Sequence, residues 1–155
     1  MDRTRKDVRD TYERIGEHFS KTREYAWPEV VTFLEQSGHA EVALDVGCGN
    51  GRHAELLADV AERVCGIDVS TSLLSEASAR VPDAAFFLGD ASRLPIRSGT
   101  VDLAVYVATL HHLPDRQTRI ESLNELARVL RGEGRGLLSA WSTAHDTFEA
   151  SADDE

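Results

Sequence analysis

Lysine is nearly absent from this chain. Of its 17 basic residues only Lys6 and Lys21 are lysines, set against 27 acids, and the net charge is −10. So acidic a balance argues against indiscriminate nucleic-acid binding, which is driven by cationic contacts to phosphate. An acid-rich, lysine-poor surface suits a salt-rich cytoplasm, where carboxylates keep a protein hydrated. Cysteine is as scarce: Cys48 and Cys65 are too few and too far apart for a Cys-x-x-Cys metal knuckle. They read as small residues beside buried strands, and a disulfide is not expected in a reducing cytosol. Long apolar runs are missing too. None reaches the roughly 18 residues that span a bilayer. The polar start Met1-Asp2-Arg3-Thr4-Arg5-Lys6 does not read as a secretory signal. The expectation is a cytoplasmic protein with no membrane role and one domain's worth of core.

The charge is uneven. Residues 1–23 carry seven basic side chains against five acids, net +2, which leaves −12 for the rest. A polyanion that binds this chain therefore finds its best place on the N-terminal segment, where Arg5, Arg9 and Arg23 lie. Val8, Tyr12, Ile15 and Phe19 mark one face of an amphipathic helix there. A second helix is expected from Pro28 to a stop at Gly38.

From residue 42 the pattern changes to strands alternating with helices. Strands are expected at 42–46, 64–68, 85–88, 101–107 and 137–141, with helices over 52–61 and 73–80. Asp115 is placed to cap a further helix with Ile120, Leu123, Leu126, Ala127 and Leu130 on its apolar side, ended by Gly132. The alternation predicts an α/β fold with a mainly parallel sheet and helices on both faces. Three parts follow: N-terminal helices over 1–38, a core over 42–141, and an acidic tail over 142–155.

The chemistry concentrates at strand ends, where open α/β sheets bind their ligands. Leu44-Asp45-Val46-Gly47-Cys48-Gly49-Asn50-Gly51 sets glycines at alternate positions, so a ligand can press against bare backbone. The dinucleotide fingerprint is Gly-x-Gly-x-x-Gly. Here Arg52 stands where the third glycine belongs, which disfavours NAD. Asp68, followed by Val69, ends the second strand; its carboxylate suits paired ribose hydroxyls, a contact worth about 1.5–3 kcal/mol. Its competing role is to cap the Ser-Thr-Ser stretch behind it. Gly89-Asp90-Ala91 ends the third strand and suits an adenine amino group, against the plainer role of a turn cap.

The Asp-x-Gly-x-Gly-x-Gly turn, Cys65-Gly66-Ile67-Asp68, Gly89-Asp90-Ala91 and Leu94-Pro95 together resemble the class I methyltransferases over residues 42–141. The resemblance implies a Rossmann-like fold and S-adenosylmethionine as cofactor. It implies that Gly47, Gly49 and Gly51, beside Asp45, line the methionine end, that Asp68 and Val69 meet the ribose, and that Asp90 and Ala91 hold adenine. Val107 and the residues up to His111 face the methyl group on the same grounds. A complete sheet of this family adds two strands beyond the fifth, and this sequence reads as short of them.

A narrower resemblance rests on Tyr12, His18-Phe19-Ser20-x-Thr22-Arg23 and Trp27-Pro28, with Leu110-His111-His112-Leu113 and Glu125-Leu126-Ala127-Arg128-Val129-Leu130-Arg131. These are similar to the tRNA wobble-uridine carboxymethyl methyltransferases, which esterify 5-carboxymethyluridine and work with a small zinc-binding activator subunit. The last two segments are common across the wider superfamily. A tRNA substrate, a heterodimer with that activator, and Arg23 and His111 as substrate-facing residues are what this resemblance implies. Arg23 competes with a role as a solvent-facing helix arginine, and His111 and His112 with packing at a strand end. Two other readings stay open: a methyltransferase of small metabolites such as quinone precursors, and a cofactor-binding protein without activity. An exposed third strand, at the edge of an expected 3-2-1-4-5 order, is a candidate surface for the activator.

Overall fold

The computed structural model describes residues 27–107 and 113–139. In chain order its elements are α1 (Pro28–Ser37), β1 (Ala40–Val46), α2 (Arg52–Val60), β2 (Ala61–Asp68), α3 (Thr71–Arg80), β3 (Ala85–Leu88), β4 (Val101–Val107), α4 (Arg116–Val129) and β5 (Leu130–Ser139). The strands form one sheet in the order β3-β2-β1-β4-β5, parallel throughout. Parallel neighbours need a crossover between them, and helices make three of the four here.

β1 lies at the centre and is buried on both faces, which its near-continuous apolar run dictates. Leu44 and Val46 face one layer with Ile67, Tyr106, Leu126 and Val129. Ala43 faces the other, with Val30 and Leu34 of α1, Leu57 of α2 and Val105 of β4. α1 is thus part of the core. Its limits follow from Pro28 at the first turn and Gly38 at φ 74°, a left-handed backbone that stops the helix. Asp115 caps α4 by accepting the Thr118 amide at 2.7 Å.

Two expectations need correcting at α4 and β5. The helix ends at Val129, not Gly132, and β5 starts at Leu130 rather than at residue 137. Leu130 pairs with Val101, and the ladder then slips before Leu103 meets Arg135. Gly134 allows the irregularity: a Cβ there would stand 3.0 Å from the carbonyl oxygens of Arg131 and Val101. The buried side of α4 is also turned from the expected one. It carries Thr118, Ser122, Leu126 and Val129, while Ala127 is exposed.

Candidate functional site

The carboxyl ends of β1, β2 and β3 bring the sequence motifs together. After β1 the chain turns through Gly47, Gly49 and Gly51 at φ 72°, 53° and 88°, a region side chains disfavour. The turn is knitted to β2. The amides of Gly47 and Cys48 both donate to the Ile67 carbonyl, at 2.7 and 3.0 Å, and the Gly51 amide donates to Cys48. Gly51 has a second reason to lack a side chain, because a Cβ would meet Ala77 of α3 at 3.0 Å. Glycines expected only to clear space for a ligand therefore also shape the turn and seat α2 beside α3.

Asp68 ends β2, 2% exposed. Its two oxygens accept different amides: Oδ2 from Gly49 at 2.8 Å, Oδ1 from Ser70 at 2.9 Å. Ser70, rather than Asp68, caps α3 by accepting the Leu73 amide. One carboxylate thus ties the glycine turn to the entry of α3, with half-buried Val69 between. The Gly89 amide donates to the Asp68 carbonyl at 3.0 Å, which brings the end of β3 alongside. Asp90 then closes a tight turn, its Oδ1 accepting both the amide and the hydroxyl of Ser92 at 2.8 Å. Ala91 is buried behind it. Val107 ends β4 next to β1, one residue past the Val46–Tyr106 pair.

Asp45 is the most constrained group. It is 1% exposed, and its Oδ2 is buried with no hydrogen-bond partner. Burial first, and the nearby Asp68 second, push its carboxyl up to about 8, against an opposing pull from Arg52. Burial and the same two carboxylates push the Cys48 thiol up as well. The site thus offers the Asp68 and Asp90 carboxylates as acceptors, with the neutral Asp45 carboxyl beside them, at three neighbouring strand ends around backbone without side chains. That donor set fits a nucleoside carrying hydroxyls, an amine and positive charge.

Sequence reasoning missed His53. It is buried in the first turn of α2, and its Nε2 accepts the Trp27 amide at 3.3 Å. Burial, with Arg52 and Arg80, pulls it down to about 3, so the ring is neutral and carries its proton on Nδ1. The Trp27 ring meets His53 edge-on at 6.3 Å, and the Arg52 guanidinium lies 5.7 Å over it. The chain entering α1 is thereby pinned to the helix that follows the glycine turn. The partner that makes His53 a core residue lies 26 residues away, and no local pattern signals that. Arg23 and His111 lie outside the described residues. Among the described residues no group of three His, Cys, Asp or Glu side chains could hold a metal.

The family model for a methyltransferase domain matches residues 44–138, from β1 through β5. The chain belongs to the methyltransferase domain family. This methyltransferase domain is 36% identical, over 88% of its length, to the mouse tRNA (carboxymethyluridine(34)-5-O)-methyltransferase ALKBH8, of which it covers 20%. It is 33% identical over 87% of its length to the Saccharomyces cerevisiae tRNA (carboxymethyluridine(34)-5-O)-methyltransferase, and covers 48% of that protein. The chain thus spans between a fifth and a half of these relatives. Among solved structures it resembles a Haloferax volcanii methyltransferase in complex with the Trm112 methyltransferase activator, with a TM-score of 0.75, 20% identity, and coverage of 95% of this chain and 75% of that one. The methyltransferase fold is shared with Haemonchus contortus phosphoethanolamine N-methyltransferase 1, solved with S-adenosylhomocysteine, at TM-score 0.72, 21% identity, and coverage of 92% of this chain and 34% of that one.

Proposed function

We propose that this chain binds S-adenosylmethionine and directs its methyl group to the carboxylate of 5-carboxymethyluridine at the wobble position of tRNA. The observation that carries the cofactor half is the row of Asp45, Asp68 and Asp90 around a turn of three glycines. When bound, S-adenosylmethionine supplies an electrophilic methyl on a sulfonium. In this reading Asp68, with Val69, takes the ribose hydroxyls, and Asp90 and Ala91 take the adenine edge. Gly47, Gly49 and Gly51 clear the methionine end beside Asp45, and Val107 borders the methyl group. The tRNA half rests on the similarity to the mouse and yeast wobble-uridine enzymes.

The acceptor needs little activation. A carboxylate with a pKa near 4 is ionised at neutral pH, so no general base is required. What remains for the protein is to align an oxygen with the methyl carbon and exclude water. Arg23 is assigned to anchor the acceptor, since a guanidinium holds a carboxylate or phosphate through paired bonds. His111 is assigned to the substrate side. A Trm112-type zinc-binding activator as partner and a cytoplasmic location complete the proposal. The activator is supported by the activator complex of the Haloferax structure, and the location by the similarity to the yeast tRNA-modifying enzyme.

The test is calorimetric titration of S-adenosylmethionine into the full chain, alone and with the activator, for wild type and Asp68→Ala. The variant is expected to bind about 10- to 100-fold more weakly. Absence of wild-type binding in both settings overturns the cofactor assignment. Methyl transfer to tRNA carrying 5-carboxymethyluridine is then measured with Arg→Glu changes at Arg5, Arg9 and Arg23. These should weaken tRNA binding in a salt-dependent way, whereas unaltered tRNA affinity points to a small-molecule acceptor instead.

A further inference from the structure

Between Gly89 and Thr100 the chain passes from β3 to β4 with no helix and only the isolated Asp90–Arg93 bridge. Backbone without a ladder of its own must find partners elsewhere. α4 supplies them. Glu125 Oε1 accepts the Leu94 amide at 2.8 Å. Arg128 donates to the carbonyls of Leu94 and Ile96 and to the Ser98 hydroxyl, at 3.0, 2.9 and 3.0 Å. It also clasps Glu125 through its Nε at 2.6 Å and through a terminal nitrogen at 3.0 Å. All five N–H donors of the guanidinium are thereby used. The Gly99 and Thr100 amides donate to the last carbonyls of α4, on Arg128 and Val129, each at 2.9 Å.

One turn back along α4, Ser122 reaches the site itself. Its hydroxyl donates to the Ala91 carbonyl at 2.7 Å and lies 2.6 Å from the Tyr106 hydroxyl. Serine has one proton and a carbonyl can only accept, so Tyr106 must donate to Ser122. Both side chains are fully buried. Burial pushes the Tyr106 phenol up to about 12, so this relay keeps its protons at neutral pH.

We propose that α4 aims the Asp90–Ala91 turn and so sets the discrimination for an adenine ring: Ser122, backed by Tyr106, fixes Ala91, and the Glu125–Arg128 pair fixes the chain just beyond it. The proposal rests on the adenine role given above to Asp90 and Ala91. These four are positioning residues acting through the turn. The Glu-x-x-Arg spacing in the last turns of α4 thereby replaces, from outside, the hydrogen bonds a crossover helix makes within itself.

The experiment compares binding of S-adenosylhomocysteine with that of S-inosylhomocysteine, in which a carbonyl replaces the adenine amino group. Wild type should favour the adenine form by about tenfold, the worth of one hydrogen bond. Tyr106→Phe, Ser122→Ala and Arg128→Lys should bring that ratio near one by weakening the adenine form alone. Ser122→Thr, which keeps the hydroxyl, should restore it. Asp68→Ala should weaken both ligands alike and leave the ratio standing. An unchanged ratio in the α4 variants, or an equal loss for both ligands, overturns the proposal, as does a wild type that binds both equally. A wild type that binds neither overturns the cofactor reading instead. Should Ser122→Ala not fold, Tyr106→Phe leaves the buried ring in place and carries the test.

Discussion

A carboxyl group held near 8 in the folded chain and at 3.8 in the unfolded one makes folding take up a proton between those values. For Asp45 the sign follows directly. The folded state is favoured while the group is protonated, and stability is lost as pH rises through the folded pKa. His53 acts in the opposite range, its contribution being lost as pH falls from 6.5 toward 3. Between pH 7 and 9 the His53 contribution is flat and Asp45 stands alone of the two. On approaching pH 8 wild type should lose up to about 1.4 kcal/mol per pH unit that Asp45→Asn does not lose; nearer pH 9 the raised Cys48 and Cys65 thiols weaken both proteins. Thermal or urea melts across that range check it, and parallel slopes in the two proteins would refute a neutral Asp45. The sequence marked Asp45 as the acid two residues ahead of the glycine turn, and Asp68 and Asp90 as acids at the ends of the next two strands. It hid Ser122, whose hydroxyl looks solvent-facing until α4 is turned so that Ser122 and Thr118 lie on its buried side.

At the level of elements, β3 depends on an absence in β2. A Cβ on Gly66 would stand 2.6 Å from the ring of Phe86, so the ring occupies space that any larger residue would claim. Gly66→Ala should cost about 1–3 kcal/mol by overpacking. Phe86→Leu in the same background should recover part of it, with urea unfolding as the measure; full stability in the single variant would show that the ring moves aside freely. Strands and helices whose apolar periodicity is intact were legible: β3 and β4 fall where the pattern puts them, and α1 keeps its Pro28 and Gly38 limits. The start of β5 was not. Arg131-Gly132-Glu133-Gly134-Arg135-Gly136 has no apolar alternation, and its strand character comes from backbone pairing with β4 across a slipped register.

At the scale of the whole sheet, β3 and β5 are the outer strands among the described residues. They differ in chemistry. The first half of β5 is glycine and charge, with Arg131 bound to Asp102 at 2.8 Å. β3 is short and apolar, with Phe87 43% and Leu88 57% exposed while Phe86 turns toward the core. An activator adding a strand is therefore expected at β3. Phe87→Glu with Leu88→Lys should abolish co-purification of the proposed zinc-binding subunit and leave the melting temperature of the chain alone unchanged. Undiminished co-purification would place the partner elsewhere. The strand order is the one the family resemblance implied, and strand alternation already put Phe86 and Phe87 on opposite faces; that Phe86 is the one against the core and Phe87 the one exposed came from the structure.

The two amides on Asp68 have a consequence for affinity. Gly49 and Ser70 hold that carboxylate in one orientation before any ligand arrives. In the ribose-binding role proposed for it, Asp68 is then a preorganised acceptor, so little rotational freedom would be lost on binding and the aim is inherited from the fold. In the proposed site, tightness at this point is therefore not a property of Asp68 alone: loosening the α3 cap at Ser70, a residue given no contact with the ligand, is expected to weaken binding through an acceptor that has lost its direction.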